Sequence, residues 1–130
     1  MPIARHSKIR TRMAAQNPAP HRPALHKGRT ALTQYKVIEN LKEFSLLEIK
    51  IQTGRTHQIR VHLSAVGHPV VGDDVYGENS YKMFTKKNGE FDRYFLHAER
   101  LRFTHPQTGT ELEFHSPLPL ELRNLLERIR

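Results

Sequence analysis

Cysteine and tryptophan are both missing from this chain of 130 residues. Without thiols there is no disulfide framework and no thiolate metal site, which agrees with a reducing, cytoplasmic setting. Without tryptophan, the largest apolar side chains are six Phe and four Tyr. No uncharged apolar run approaches the roughly 18 residues that span a bilayer. The start, MPIARHSKIR, has no apolar stretch of the kind a secretory leader needs, so no membrane partner is expected.

Negative charge is also missing from one region. Between Met1 and Ile38 there is no Asp or Glu, but there are eight Lys and Arg: Arg5, Lys8, Arg10, Arg12, Arg22, Lys27, Arg29 and Lys36. The rest of the chain carries thirteen basic and thirteen acidic residues, so the whole net charge of +8 sits on the first third. Such an arm is an electrostatic footprint for a polyanion, most simply RNA or DNA, with Arg5, Lys8, Arg10 and Arg12 as the leading contacts. The plainer alternative is a solvated tail with no partner.

Residues 1–29 show little periodicity and are expected to form a basic, irregular arm. Residues 30–130 are expected to form the sheet and helices. ALTQYKVIE (31–39) and SLLEIKIQ (45–52) alternate apolar and polar residues around a short polar break, which predicts a hairpin with one face buried. The period then changes. Ile59, Leu63 and Val66 fall at helical spacing, Thr56 is the expected N-cap, and Gly67 suits the left-handed position after the last turn. Residues 78–93 are polar and read as a surface loop. YFLHAERLRF (94–103) and ELEFH (111–115) read as paired strands around a reverse turn, and 120–129 as a C-terminal amphipathic helix. About four strands and two helices, with the strands grouped antiparallel, make this an α+β chain with an antiparallel or mixed sheet.

The chemistry concentrates in TGRTHQIRVH (53–62). Arg55 lies in the turn before the helix, and Thr56, His57 and Arg60 lie in its first two turns. Arg60 should emerge at the border of core and solvent, where a guanidinium can pair with a carboxylate or phosphate in two-pronged fashion. The alternative is a surface helix whose arginines make ordinary salt bridges. A metal site built on His57, His62 and His68 is not expected, because His57 and His62 are five residues apart and no carboxylate is in position.

TGRTHQIRVHL (53–63) followed by GHPVVGDDVYG (67–77) resembles the signature block of the RluA-type RNA pseudouridine synthases. Pro2-Ile3, Arg5-His6, Arg10 and Met13 fit the same family upstream, as do Lys27-Gly28, Ala31, Thr33, Tyr35 and Val37. Leu96-His97-Ala98, Leu101, Phe103-Thr104-His105-Pro106, Gly109, Phe114 and Ser116-Pro117-Leu118-Pro119 fit it downstream. The resemblance implies part of a pseudouridine synthase catalytic domain, isomerising uridine to pseudouridine in ribosomal or transfer RNA with no metal or organic cofactor. It implies that Arg60 pairs with the catalytic aspartate and that Ile59 lines the uracil pocket. Arg55 and His57 would support the turn or contact RNA phosphate, and Leu96 and His97 would lie on a strand near the site.

The family's aspartate stands in a His-Arg-Leu-Asp motif that this chain lacks. Its three aspartates are Asp73, Asp74 and Asp92, and none follows His-Arg-Leu. The resemblance thus covers the C-terminal half of the catalytic domain. The expected partners are RNA and the missing N-terminal half or a complementing chain, and no activity is expected from these residues alone. The other reading is a non-catalytic RNA-binding remnant or module.

Overall fold

The computed structural model describes residues 30–130 and, as backbone only, residues 3–5 and 13–15. The chain divides into two units. One comprises Met1–Asn40 and Ser45–Phe95, the other Leu41–Phe44 and Leu96–Arg130. Helices and small antiparallel sheets make up both, so the α+β class holds. Among the described residues, no helix is long and apolar enough to cross a membrane.

In the first unit, β1 (Ile3–Arg5) pairs antiparallel with β2 (Met13–Ala15). These six residues correct the expectation of a wholly irregular arm, since three-residue strands are too short for alternation to be counted. Lys8, Arg10 and Arg12 lie outside the described residues. The expected hairpin is present as β3 (Thr33–Asn40) and β4 (Ser45–Ile51), with a bulge between Val37 and Glu39. Tyr35 faces Ile49 across the ladder and Val37 faces Leu47, while Lys36 faces Glu48. The apolar face is not buried as the alternation predicted: Tyr35 is 62% exposed, Val37 43% and Ile51 48%.

Helix α1 (Gln58–Ala65) ends as the sequence indicates. Gly67 has φ 85°, its N–H donates to Ser64 O at 3.0 Å, and the His68 N–H donates to Leu63 O at 2.9 Å. That double bond closes the last turn with a left-handed residue, which glycine adopts without strain. The start differs. The N-cap is His57, not Thr56, and its φ of 53° and ψ of 26° are left-handed. The physical cause is the tight turn Arg55–Gln58, in which the Gln58 N–H donates to Arg55 O at 3.0 Å. Inward residues also differ: Gln58, Arg60 and His62 are buried beside Val61 and Leu63, while Val66 is 53% exposed.

Residues 78–93 are not all loop. Glu78–Asn88 forms α2, with an (i,i+4) Lys82–Glu78 pair of 3.1 Å and Gly89 (φ 86°) past its end. Its inward stripe is Tyr81, Phe84, Thr85 and Asn88, and only Phe84 is fully buried. So polar a stripe leaves almost no periodic signal in the sequence.

In the second unit, β5 (Arg100–Thr104) pairs with β6 (Glu111–His115). Tyr94–Glu99, expected as strand, precedes the ladder, because the Phe95 N–H is taken by Val71 O at 2.7 Å. One face of this hairpin carries Arg100, Arg102, Glu113 and His115. The other carries Leu101, Phe103, Leu112 and Phe114, with the two Phe rings stacked at 5.9 Å. Helix α3 (Leu120–Ile129) buries Leu122, Leu125 and Leu126, as its spacing predicts.

Candidate functional site

Two segments of the signature block are held together by one ion pair. The Arg60 Nε donates to Asp73 Oδ2 at 2.7 Å and its Nη2 to Asp73 Oδ1 at 3.0 Å. Asp73 Oδ1 also accepts the N–H groups of Val75 and Tyr76, at 3.1 and 2.9 Å. The guanidinium lies 3.8 Å from the Tyr94 ring centre and 4.9 Å from that of Tyr76. Asp73 is 1% exposed and Arg60 7%. A buried charge is tolerated only when fully paired, and this one is paired in two-pronged fashion and stacked.

The charge states follow. Burial alone would raise the Asp73 carboxyl, but the Arg60 hydrogen bond and the backbone N–H of Tyr76 outweigh it and hold the carboxyl below its ordinary value. The Asp73 hydrogen bond raises Arg60 against the opposing effect of burial. Two glycines make the turn around Asp73 possible. A Cβ on Gly72 would meet Arg93 O at 2.1 Å, and one on Gly77 would meet the Pro69 Cβ at 2.6 Å.

This geometry corrects the reading of Arg60. Its partner carboxylate is not absent from the chain. It is Asp73, thirteen residues on, and Arg60 is buried rather than placed at the border of core and solvent. Of the two arginines in the block, the one with open donors is Arg55. Its Nε donates to Thr30 O at 3.2 Å, and its terminal nitrogens have no partner among the described residues. Arg55 is exposed. Its backbone N–H donates to Gln58 Oε1 at 3.1 Å.

His57 is exposed, with its Nδ1 2.9 Å from the Tyr76 hydroxyl and its ring edge-on to Tyr76 at 5.6 Å. A left-handed histidine stores backbone strain of about 1–3 kcal/mol, so its surroundings must hold it there. Ile59 is half-buried. Leu96 and His97 belong to the second unit, precede β5 rather than lying on a strand, and His97 Nε2 is 2.8 Å from Ser116 O. His62 Nδ1 is 2.7 Å from Thr33 Oγ1. Among the described residues, no group of three or more His, Cys, Asp or Glu could hold a metal ion.

Sequence reading missed Asp73, Tyr76, Tyr94 and Gln58. The first two carried a usable signal, since an Asp placed two and three residues before Val75 and Tyr76 is the pattern of a carboxylate capping its own turn. Tyr94 had none, because only the folded chain brings it to Arg60.

Residues 2–65 match the family described as RNA pseudouridylate synthase. Ribosomal large subunit pseudouridine synthase D of Vibrio parahaemolyticus is 43% identical over 135 residues, which cover 99% of this chain and 39% of that protein. The proteins of the same name from Escherichia coli K12 and Vibrio cholerae are 38% and 39% identical over the same shares. The chain spans about two fifths of the length of the curated relatives it matches. With the signature block, its turn and both flanks in family order, the chain belongs to the RluA-type RNA pseudouridine synthases.

Proposed function

We propose that this chain is the C-terminal portion of a pseudouridine synthase catalytic domain, working in the cytoplasm on ribosomal RNA with the carboxylate-bearing portion of the same domain or a complementing polypeptide. In that reaction the N1–C1′ bond of uridine breaks and a C5–C1′ bond forms. The C5 proton leaves to solvent and N1 gains a proton. These 130 residues do not perform it alone. One observation carries this: Asp73 is spent on Arg60, and Asp74 and Asp92 are exposed and outside the family motif. Arg55, with its terminal nitrogens open, is the arginine offered to the missing carboxylate, and it replaces Arg60 in that role. Ile59 and His57 follow it along the chain as contacts to the base and to phosphate.

Uncovered apolar surface supports a polypeptide partner. Eleven large apolar side chains are exposed against eight buried hydrophobic residues among those described. A two-stranded ribbon with an open apolar face, such as β3–β4, is marginal by itself in water. The basic first third favours a second reading, in which the chain binds RNA without catalysis. Tritium release from RNA carrying 5-tritiated uridine separates the two. The chain alone should release none, and the chain combined with the aspartate-bearing portion of a relative should release tritium. Release by the chain alone, or none from the combination, would overturn the proposal.

A further inference from the structure

We infer that Gln58 is the positioning residue for Arg55, an inference that deepens the role proposed for that arginine and rests on it only for its catalytic consequence. Gln58 is 3% exposed and spends its whole amide on four partners. Its Oε1 accepts from the Thr53 hydroxyl at 2.7 Å and from the Arg55 N–H at 3.1 Å. Its Nε2 donates to Leu32 O and to Thr33 Oγ1, each at 2.9 Å. Its backbone N–H donates to Arg55 O at 3.0 Å. Both main-chain polar groups of Arg55 are therefore held by this one residue, and Gln58 is in turn anchored to the start of β3.

The amide orientation is dictated by these partners. Turned over, the NH2 group would face the Arg55 N–H, and the oxygen would face Leu32 O, leaving a donor against a donor and an acceptor against an acceptor. No other side chain of this size offers two acceptor positions on one atom and two donors on the other. Arg55 is thus fixed at its backbone by Gln58 and at its Nε, which donates to Thr30 O, while the two terminal nitrogens stay open. That is a prearranged fork for an oxyanion, and prearrangement removes the ordering cost from the moment of binding. Arg60 is held by a separate set of contacts, to Asp73, Tyr76 and Tyr94, and serves as an internal control.

The experiment has two parts. In the 130-residue chain, heteronuclear NOE values of the arginine Nε–H groups are measured in wild type and in Gln58→Met, which keeps the length and loses both the side-chain acceptor for the Arg55 N–H and the two donors. The Arg55 Nε–H should be as ordered as that of Arg60 in wild type, and should fall to the level of exposed Arg123 in the variant while Arg60 holds. An unchanged Arg55, or equal loss at Arg60, would overturn the inference, the latter because Gln58 would then only support the fold. Should Gln58→Met not fold, Thr53→Val removes one partner of Oε1 and must lower the Arg55 value alone. In a complete, active synthase, Gln58→Met should cut kcat/KM by about tenfold or more with Arg55 present and less than about twofold in an Arg55→Ala background. Equal losses in both backgrounds would refute positioning. Wild-type turnover in Arg55→Ala alone would instead sink the role proposed for Arg55 and leave the NMR result standing.

Discussion

The turn and helix of the signature block and the β5–β6 hairpin both carry arginine–carboxylate pairs, and they use them differently. Arg60 and Asp73 meet almost wholly buried, with Asp73 Oδ1 also accepting two backbone N–H groups and the Tyr94 ring lying against the guanidinium. On the hairpin, Arg102 Nη2 donates to Glu113 Oε2 at 3.0 Å, and His115 Nε2 is 2.8 Å from the other oxygen, with every member in contact with solvent. The Arg102 hydrogen bond lowers the Glu113 carboxyl in the same direction as Arg60 lowers Asp73. The comparison teaches that similar geometry carries different weight. Breaking a buried pair strands a charge, whereas water replaces an exposed one.

The sharpest way to break the comparison is Asp73→Ala. It leaves the Arg60 guanidinium buried and unpaired and should cost about 3–5 kcal/mol of stability, read from the urea midpoint and slope. A loss below about 1 kcal/mol would mean that water reaches the pair. Next in size is Arg55→Ala, which should leave the urea midpoint nearly unmoved because Arg55 is exposed. In a complete synthase it should lower kcat/KM at least about a hundredfold, equivalent to about 2.7 kcal/mol. A large stability loss with intact turnover would reverse the roles assigned to the two arginines.

Acid sharpens the contrast further. The folded Asp73 carboxyl lies below its unfolded value, so its stabilisation is fully present above the unfolded value, about pH 4, and is lost as pH falls through the folded one. Thermal midpoints of wild type should fall through that range, and Asp73→Asn should show a shallower decline. Identical acid profiles would remove Asp73 from the account. The smallest effect belongs to Glu113→Gln. Its thermal midpoint should match wild type closely and become indistinguishable at high salt, since exposed pairs are screened. A salt-resistant drop would place that ladder among the stabilising contacts.

Much of this was legible along the chain. The β3–β4 alternation, the Gly67 stop and the Leu122, Leu125 and Leu126 stripe each follow a local period or a local backbone need, and each appears where expected. Helix α2 was not legible, because a stripe of two aromatic and two polar residues carries too little hydrophobic contrast. The N-cap moved from Thr56 to His57 because Gln58 takes the Arg55 N–H and closes a tight turn there.

The sequence by itself determined the family, the antiparallel α+β class, the basic first third and the absence of an aspartate after His-Arg-Leu, since each is a matter of residue order and composition. Only the tertiary structure decided which of the two block arginines keeps open terminal donors. Arg55 and Arg60 are five residues apart and alike as sequence, and their difference comes from what folding brings to them: Asp73 and the ring of Tyr94 to one, and the backbone oxygen of Thr30 to the other.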